Sequence, residues 1–278
     1  MERREPVINR RLFVCNKHRK NVIYSDDMTL IKTEALVLKT IPFQETSSIV
    51  KLFTKEQGKI SVIAKGARRL KSALRGYLEP LNHIEAIYYY KITRDIQTLS
   101  KVDLIQSFFS NTLDIECTIY GTAVLEVIDK VVYDHQYDNK IFNLAVQILK
   151  NMDLHADQCI ILFADFLLAL ADILGYKLDT SVCSQCKTRL TSAFYNPGSG
   201  RLVCNDCGRY TSSAHKLSKH EMQFLNDLPR CNLDTGVNIS VEPSAADRIT
   251  QLLIKYLSYH LDYPLNLKSL SLLSEISQ

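Results

Sequence analysis

The chain has 278 residues, 46% of them hydrophobic and 23% charged, with a formal net charge of +4. A chain of this length and apolar content buries a real core and is expected to divide into two or three domains. No apolar run reaches the ~20 residues needed to cross a bilayer, and the longest candidate, Cys159 to Leu174, is interrupted by Asp165 and Asp172, which excludes a transmembrane reading.

Charge is uneven along the chain. Residues 28 to 108 hold 13 basic and 7 acidic groups, a balance of +6, whereas residues 109 to 278 hold 14 and 19, a balance of −5. A small basic domain on an acidic body points to one face that meets a polyanion. Residues 1 to 27 carry the basic cluster Arg10-Arg-Leu-Phe-Val-Cys-Asn-Lys-His-Arg-Lys20 without hydrophobic periodicity. They read as a disordered N-terminal extension. With neither an apolar h-region nor a small-residue cleavage site they are no secretory signal, so a cytoplasmic, nucleoid-associated location is expected.

Five β-rich runs follow: Glu34–Thr40, Ser48–Thr54, Lys59–Ala64, His83–Tyr90 and Asp95–Gln106. Val, Ile, Tyr and Phe crowd them, Gln57-Gly58 supplies a hairpin turn, and Pro42 is expected to end the first. Five strands over residues 28–109 suit an oligonucleotide-binding (OB) barrel, and an SH3-like barrel would give a similar string. From Asn111 the apolar period lengthens, with Leu113, Ile115, Ile119, Ala123, Val124, Val127, Ile128 and Val131 spaced mostly three and four apart. Helices are also expected at Asp138–Met152, with Asp138 as N-cap, and at Ala156–Leu174, with Gly175 as C-cap. The last of these is apolar nearly all round and reads as the central helix. Residues 177 to 214 read as a loop-rich insertion, and helical periodicity resumes at Ser218–Leu228, Ser244–Leu257 and Leu267–Ser274. The expected architecture is α+β: an N-terminal barrel, then a helical domain over residues 110–278 with a metal module at about 180–212.

Eight cysteines occur, and four fall in two pairs while Cys15, Cys117, Cys159 and Cys231 are scattered, which is no disulfide framework. Cys183-Ser-Gln-Cys186 and Cys204-Asn-Asp-Cys207 stand 17 residues apart. Each Cys-x-x-Cys turn aims two thiolates at one tetrahedral Zn²⁺, and a hairpin with Pro197, Gly198 and Gly200 at its tip returns the second pair to the first. Four thiolates close the coordination sphere, so one structural ion is expected, not a catalytic one. Gly208 fits a knuckle turn after the last cysteine.

After the third strand, Lys65-Gly66-Ala67-Arg68-Arg69-Leu70-Lys71-Ser72-Ala73-Leu74-Arg75-Gly76 places five cations in eleven residues on a connector. Beside the groove of a small barrel, Lys65, Arg68, Arg69, Lys71 and Arg75 can neutralise phosphates while Gly66 and Gly76 let the backbone approach. Tyr77 at its end is the candidate stacking contact; Phe43, Phe53 and Tyr88 to Tyr90 stay unassigned, because alternation turns about half of such a run inward. No Gly-x-Ser-x-Gly, His-Glu-x-x-His, Walker loop or His-x-Glu partner to the cysteines occurs, so no enzyme activity is expected.

The stretches Thr33-Glu-Ala-Leu-Val-Leu-Lys-Thr40, Glu45-Thr46-Ser47, Thr54-Lys-Glu-Gln-Gly58, Lys65-Gly-Ala-Arg-Arg69, Lys71-Ser72 and Leu78-Glu79-Pro80 resemble the N-terminal domain of the RecO family. The cysteine pairs sit where many RecO proteins carry a four-cysteine site, and His260-Leu-Asp-Tyr-Pro-Leu-Asn-Leu-Lys-Ser269 resembles the family's C-terminal helix entry. The resemblance covers residues 29 to 275. It implies a recombination mediator that binds single- and double-stranded DNA, anneals complementary strands, contacts RecR and single-stranded-DNA-binding protein, and helps load RecA. No membrane and no small-molecule substrate is implied. The rival from another class is a zinc-ribbon, OB-fold RNA-binding or ribosome-associated protein, which a comparison of DNA with RNA oligomers separates.

Overall fold

The computed structural model describes residues 28–110, 114–134, 137–209, 215–228 and 241–276; the N-terminal extension expected over residues 1–27 lies outside them. Strands β1 (Thr29–Phe43), β2 (Ser47–Thr54), β3 (Gly58–Ala64), β4 (Asn82–Tyr90) and β5 (Ile96–Ser107) form a closed barrel in the order β1-β2-β3-β5-β4. β1 pairs with both β2 and β4, and a parallel contact between β3 and β5 closes the ring. That is OB connectivity, and it removes the SH3-like alternative. Inward residues, among them Val37, Val50, Leu52, Val62, Ile84 and Tyr88, are fully buried in a barrel core. In the tyrosine run, Tyr88 points inward and Tyr89 outward, as alternation requires.

Pro42 does not end β1, which runs on to Phe43 with Pro42 opposite Ser48. Pairing with β4 stops at Leu36, so at Pro42 the strand has one neighbour only, and a missing donor is tolerated there. A β-bulge between Val37 and Lys39 reverses the alternation of β1. Before it, Leu36 faces out of the barrel; after it, Lys39, Ile41 and Phe43 do.

The helical body consists of α1 (Ile115–Val131), α2 (Asn139–Leu154), α3 (Cys159–Ile173), α5 (Lys219–Asp227), α6 (Pro243–His260) and α7 (Lys268–Ile276), with the single turn α4 (Asn205–Gly208) in the insertion. Asp114 and Asp138 cap α1 and α2, and Ser218 with Glu221 builds a capping box on α5. The third helix starts later than its periodicity predicts, because Ala156–Gln158 forms a 3₁₀ turn ahead of it. At its end, Gly175 sits one position beyond the cap Leu174, and Tyr176 N–H returns to the Ala171 carbonyl. α3 is the central helix, packed on α1, α2 and α6. Cys117 and Cys159, which the sequence shows only as scattered, meet across the α1–α3 contact as a disulfide with Cα atoms 5.4 Å apart. No helix among the described residues is long and apolar enough to cross a membrane.

The body covers part of the outer face of β1–β2–β3. Leu36, Leu38 and Phe53 share one core with the helices, and the Phe53 and Phe142 rings lie 5.6 Å apart. Beside this apolar contact, the Asp129 carboxylate of α1 receives Lys51 at 2.6 Å and Lys59 at 3.3 Å, and Asp134 stands 3.8 Å from Lys59. Lys59 also donates to the Asp129 carbonyl, and its side chain is only 6% exposed. Burial alone would raise the Asp129 carboxyl, but Lys51 and Lys59 outweigh it and hold it below its usual value.

Candidate nucleic-acid interface and metal centre

Beyond β3 the backbone turns at Gly66, whose φ of +71° is left-handed and unstrained only for glycine. Successive short turns then carry it forward: Arg69 N–H to Gly66 O, Ser72 to Arg69 and Arg75 to Ser72, at 3.0 to 3.2 Å. Ala67 and Leu78 insert into the barrel core, so the connector plugs this end of the barrel. The sequence placed it as a loop bordering a groove; its apolar residues make it a lid as well. Arg68 is tied to the β1–β2 hairpin through its N–H to Thr46 O at 2.9 Å and its guanidinium to Gln44 O at 3.3 Å. Asn82 Nδ2 donates to the Gly76 and Tyr77 carbonyls at 2.7 and 3.1 Å, which fixes the far end.

With the apolar residues inward, Lys65, Arg68, Arg69, Lys71 and Arg75 are all exposed. None makes an ion pair within 4 Å among the described residues. Tyr77 stands beside them, 38% exposed. Next to the connector lies the part of the β1–β2–β3 face that the body leaves open. Its rows are Ile41, Ile49 and Ile63, then Phe43 opposite the buried Ser47, while the row Lys39, Lys51 and Ser61 borders the seam, where Lys51 is held by Asp129. Lys39, Ile41 and Phe43 are exposed. Sequence reasoning left Phe43 unassigned and missed Lys39 and Ile41, because only the bulge turns them outward. The resulting surface combines a row of cations, an apolar strip and two half-exposed rings, which is what a sequence-tolerant single-strand path needs.

The insertion is more ordered than a loop-rich reading predicts. β6 (Ala193–Asn196) pairs with β7 (Arg201–Val203) and with β8 (His215–Leu217). The β6–β7 hairpin brings Cys204 back to the first pair, and the Sγ atoms of Cys183, Cys186, Cys204 and Cys207 all lie within 4.8 Å of one another. Around one tetrahedral ion with bonds of about 2.3 Å sulfurs stand about 3.8 Å apart, so the set is close to that arrangement, and Cys186 and Cys204 already lie 3.6 Å apart. Burial would raise the Cys183 thiol, but N–H groups of Cys186, Cys204 and Gln185 bring it down to about 6. Cys207 is pushed up to about 12, chiefly by its contact with Cys204. Crowded thiolates resist joint ionisation, so a divalent cation is what allows all four to be charged. The residues therefore fit a metal ion, with no ligand position left for water. Gly208 closes the turn after the last cysteine as expected, its N–H donating to the Cys204 carbonyl at 2.8 Å. It ends α4, where a Cβ would meet the Phe194 ring at 2.6 Å, and the left-handed residue after a cysteine pair is Lys187 at φ +63°.

Barrel, helical body and four-cysteine module define a multidomain OB-fold protein with four thiols placed to hold a metal ion. The chain matches the family Recombination protein O N terminal over residues 28–108 and Recombination protein O C terminal over residues 112–270. It is 29% identical over 248 residues to DNA repair protein RecO of Alkaliphilus metalliredigens, covering 89% of this chain and 100% of that one. It is 28% identical over 253 residues to DNA repair protein RecO of Salinibacter ruber, covering 89% and 95%. A third, from Caldicellulosiruptor saccharolyticus, is 30% identical over 184 residues, covering 65% and 73%. The chain belongs to the RecO family of DNA repair proteins.

Proposed function

We propose that this chain is a non-enzymatic recombination mediator that binds single- and double-stranded DNA, anneals complementary strands, and acts with RecR and single-stranded-DNA-binding protein to help load RecA. The observation that carries the reading is the connector: five exposed cations, without acidic partners among the described residues, beside exposed Phe43 and Tyr77. Folding does not require that arrangement, and phosphate neutralisation does. Two strands held at one cationic surface repel each other less and meet at raised local concentration, so annealing follows without a chemical step. Membership of the RecO family supports the partners. In the metal site the donor set of four thiolates selects zinc over hard cations, and its role is to brace the β6–β7 hairpin against the helical body.

The test is duplex formation from complementary strands, each coated with single-stranded-DNA-binding protein. The wild type should accelerate it, and the Arg68→Ala/Arg69→Ala/Lys71→Ala variant should not. Failure of folded, metal-loaded wild type to accelerate annealing, together with tighter binding to RNA than to DNA oligomers, would move the assignment to an RNA-binding protein.

A further inference from the structure

A second cationic surface lies away from the barrel, where the metal module meets α6. It is a cleft of about 390 Å³ whose floor includes Tyr176, Tyr256 and His260 and whose rim carries Lys177, Lys187 and Arg201. The Tyr176 and His260 rings are stacked, 4.8 Å apart with planes 19° from parallel. Tyr256 meets His260 edge-on at 4.4 Å and donates its hydroxyl to the Tyr176 carbonyl at 3.0 Å, which fixes the floor. The three cations are exposed, and none makes an ion pair within 4 Å among the described residues. Asp179 is the acidic residue in the lining, close enough to Lys187 to feel its charge.

Lys187 has a further peculiarity. It follows Cys183-x-x-Cys186, and its N–H closes the turn on the Cys183 carbonyl at 3.0 Å. Its φ of +63° is a conformation that glycine adopts freely and a lysine only under strain. A glycine would build the same metal turn, so the turn does not explain the lysine; a use for its ammonium group does.

We infer that this cleft is a second binding site for the phosphate backbone of single-stranded nucleic acid, held open by the metal module. The inference rests on the DNA-binding reading above and deepens it. Three exposed cations beside the half-buried Tyr176 and His260 rings favour a nucleic acid over an acidic peptide, since a base presents a flat face to an aromatic ring and a carboxylate does not; Tyr256 is buried and serves to fix those rings. One strand on the connector and another on the module would give annealing two separate grips. Loss of the metal would then weaken DNA binding without touching the barrel, because the cysteine turn carries Lys187 and the β6–β7 hairpin carries Arg201.

The experiment uses full-length, metal-loaded protein and a fluorescent oligothymidylate titrated over a range of NaCl concentrations. Lys177→Ala/Lys187→Ala/Arg201→Ala should flatten the log affinity against log salt slope by about 2, from ~0.7 per phosphate contact on a single strand, and should slow annealing. Lys187→Gly should melt no lower than wild type and still bind more weakly, which separates use of the side chain from a part in folding. Wild-type affinity and annealing in the triple variant, with both lost in the connector variant, would overturn the second site and leave the proposed function standing. Unchanged DNA binding with loss of poly-glutamate binding would assign the cleft to an acidic protein segment and overturn it too. A wild type that binds no oligothymidylate would remove both readings together.

Discussion

The connector and the seam between barrel and body use the same residue types for opposite ends. At the seam, Lys51 and Lys59 are held by Asp129, and Lys59 is almost fully buried. On the connector, five cations project into solvent with no carboxylate within 4 Å among the described residues. A buried charge has lost its water and must be compensated inside the fold, so its removal is felt as instability. An exposed, unpaired charge contributes little to stability and is available to a polyanion. Charge count alone does not distinguish the two; the neighbouring carboxylate does.

The largest test of the buried side is the metal centre. Cys204→Ser should release the ion, seen as loss of bound metal by elemental analysis, and should open the insertion to proteolysis while the barrel keeps its sheet signal. Structural zinc sites contribute on the order of 10 kcal/mol to the folding of small modules. Next comes Asp165 on α3, a buried carboxyl among apolar side chains, which burial pushes up to about 7. Its folded pKa lies above the unfolded one, so the fold is favoured while the group is protonated and loses stability as pH rises from about 4 towards 7. Asp165→Asn should raise stability at pH 8 by up to about 4 kcal/mol and change little near pH 4. A urea titration at the two pH values reads the difference, and equal effects at both would show that Asp165 is compensated.

Asp129→Ala should cost about 3 kcal/mol, because Lys59 would remain buried without its carboxylate. The sign is opposite to that of Asp165: the folded pKa is depressed, so the seam's contribution is present at neutral pH and fades as pH falls through and below about 4. Thermal melts against pH should show that acid step in the wild type and not in the variant. On the exposed side, the connector variant Arg68→Ala/Arg69→Ala/Lys71→Ala should leave the melt unchanged and lower the salt slope of single-strand binding by about 2. A stability loss comparable to that of Asp129→Ala would erase the distinction between the two regions. Smallest, Phe43→Ala or Tyr77→Ala should weaken oligothymidylate binding by about 1 kcal/mol each, with the salt slope preserved, as stacking predicts.

Local chemistry made much of this legible. Asp138 and Gly175 mark helix ends in the sequence because each meets the backbone within a few residues of itself. The four cysteines read directly as ligands because two turns and one hairpin suffice to gather them. Lys39 and Ile41 were not legible, since the bulge that turns them outward depends on how β1 fits β2. Cys117 and Cys159 stand 42 residues apart and meet through helix packing alone. At Gly208 the turn was legible but the reason for a glycine was not: besides closing the cysteine turn it is small to admit the Phe194 ring, a contact made across the module.

By itself the sequence determined the five strands, the helical periodicity, the thiolate set and the cation-rich connector, all of which rest on residue type and short spacing. Tertiary structure decided which lysines are free and which are bound, which part of the barrel face stays open, and that Lys177, Lys187 and Arg201 line one cleft with Tyr176 and His260. Those outcomes depend on which distant groups share a surface, and burial and charge compensation act through space, whatever the separation along the chain.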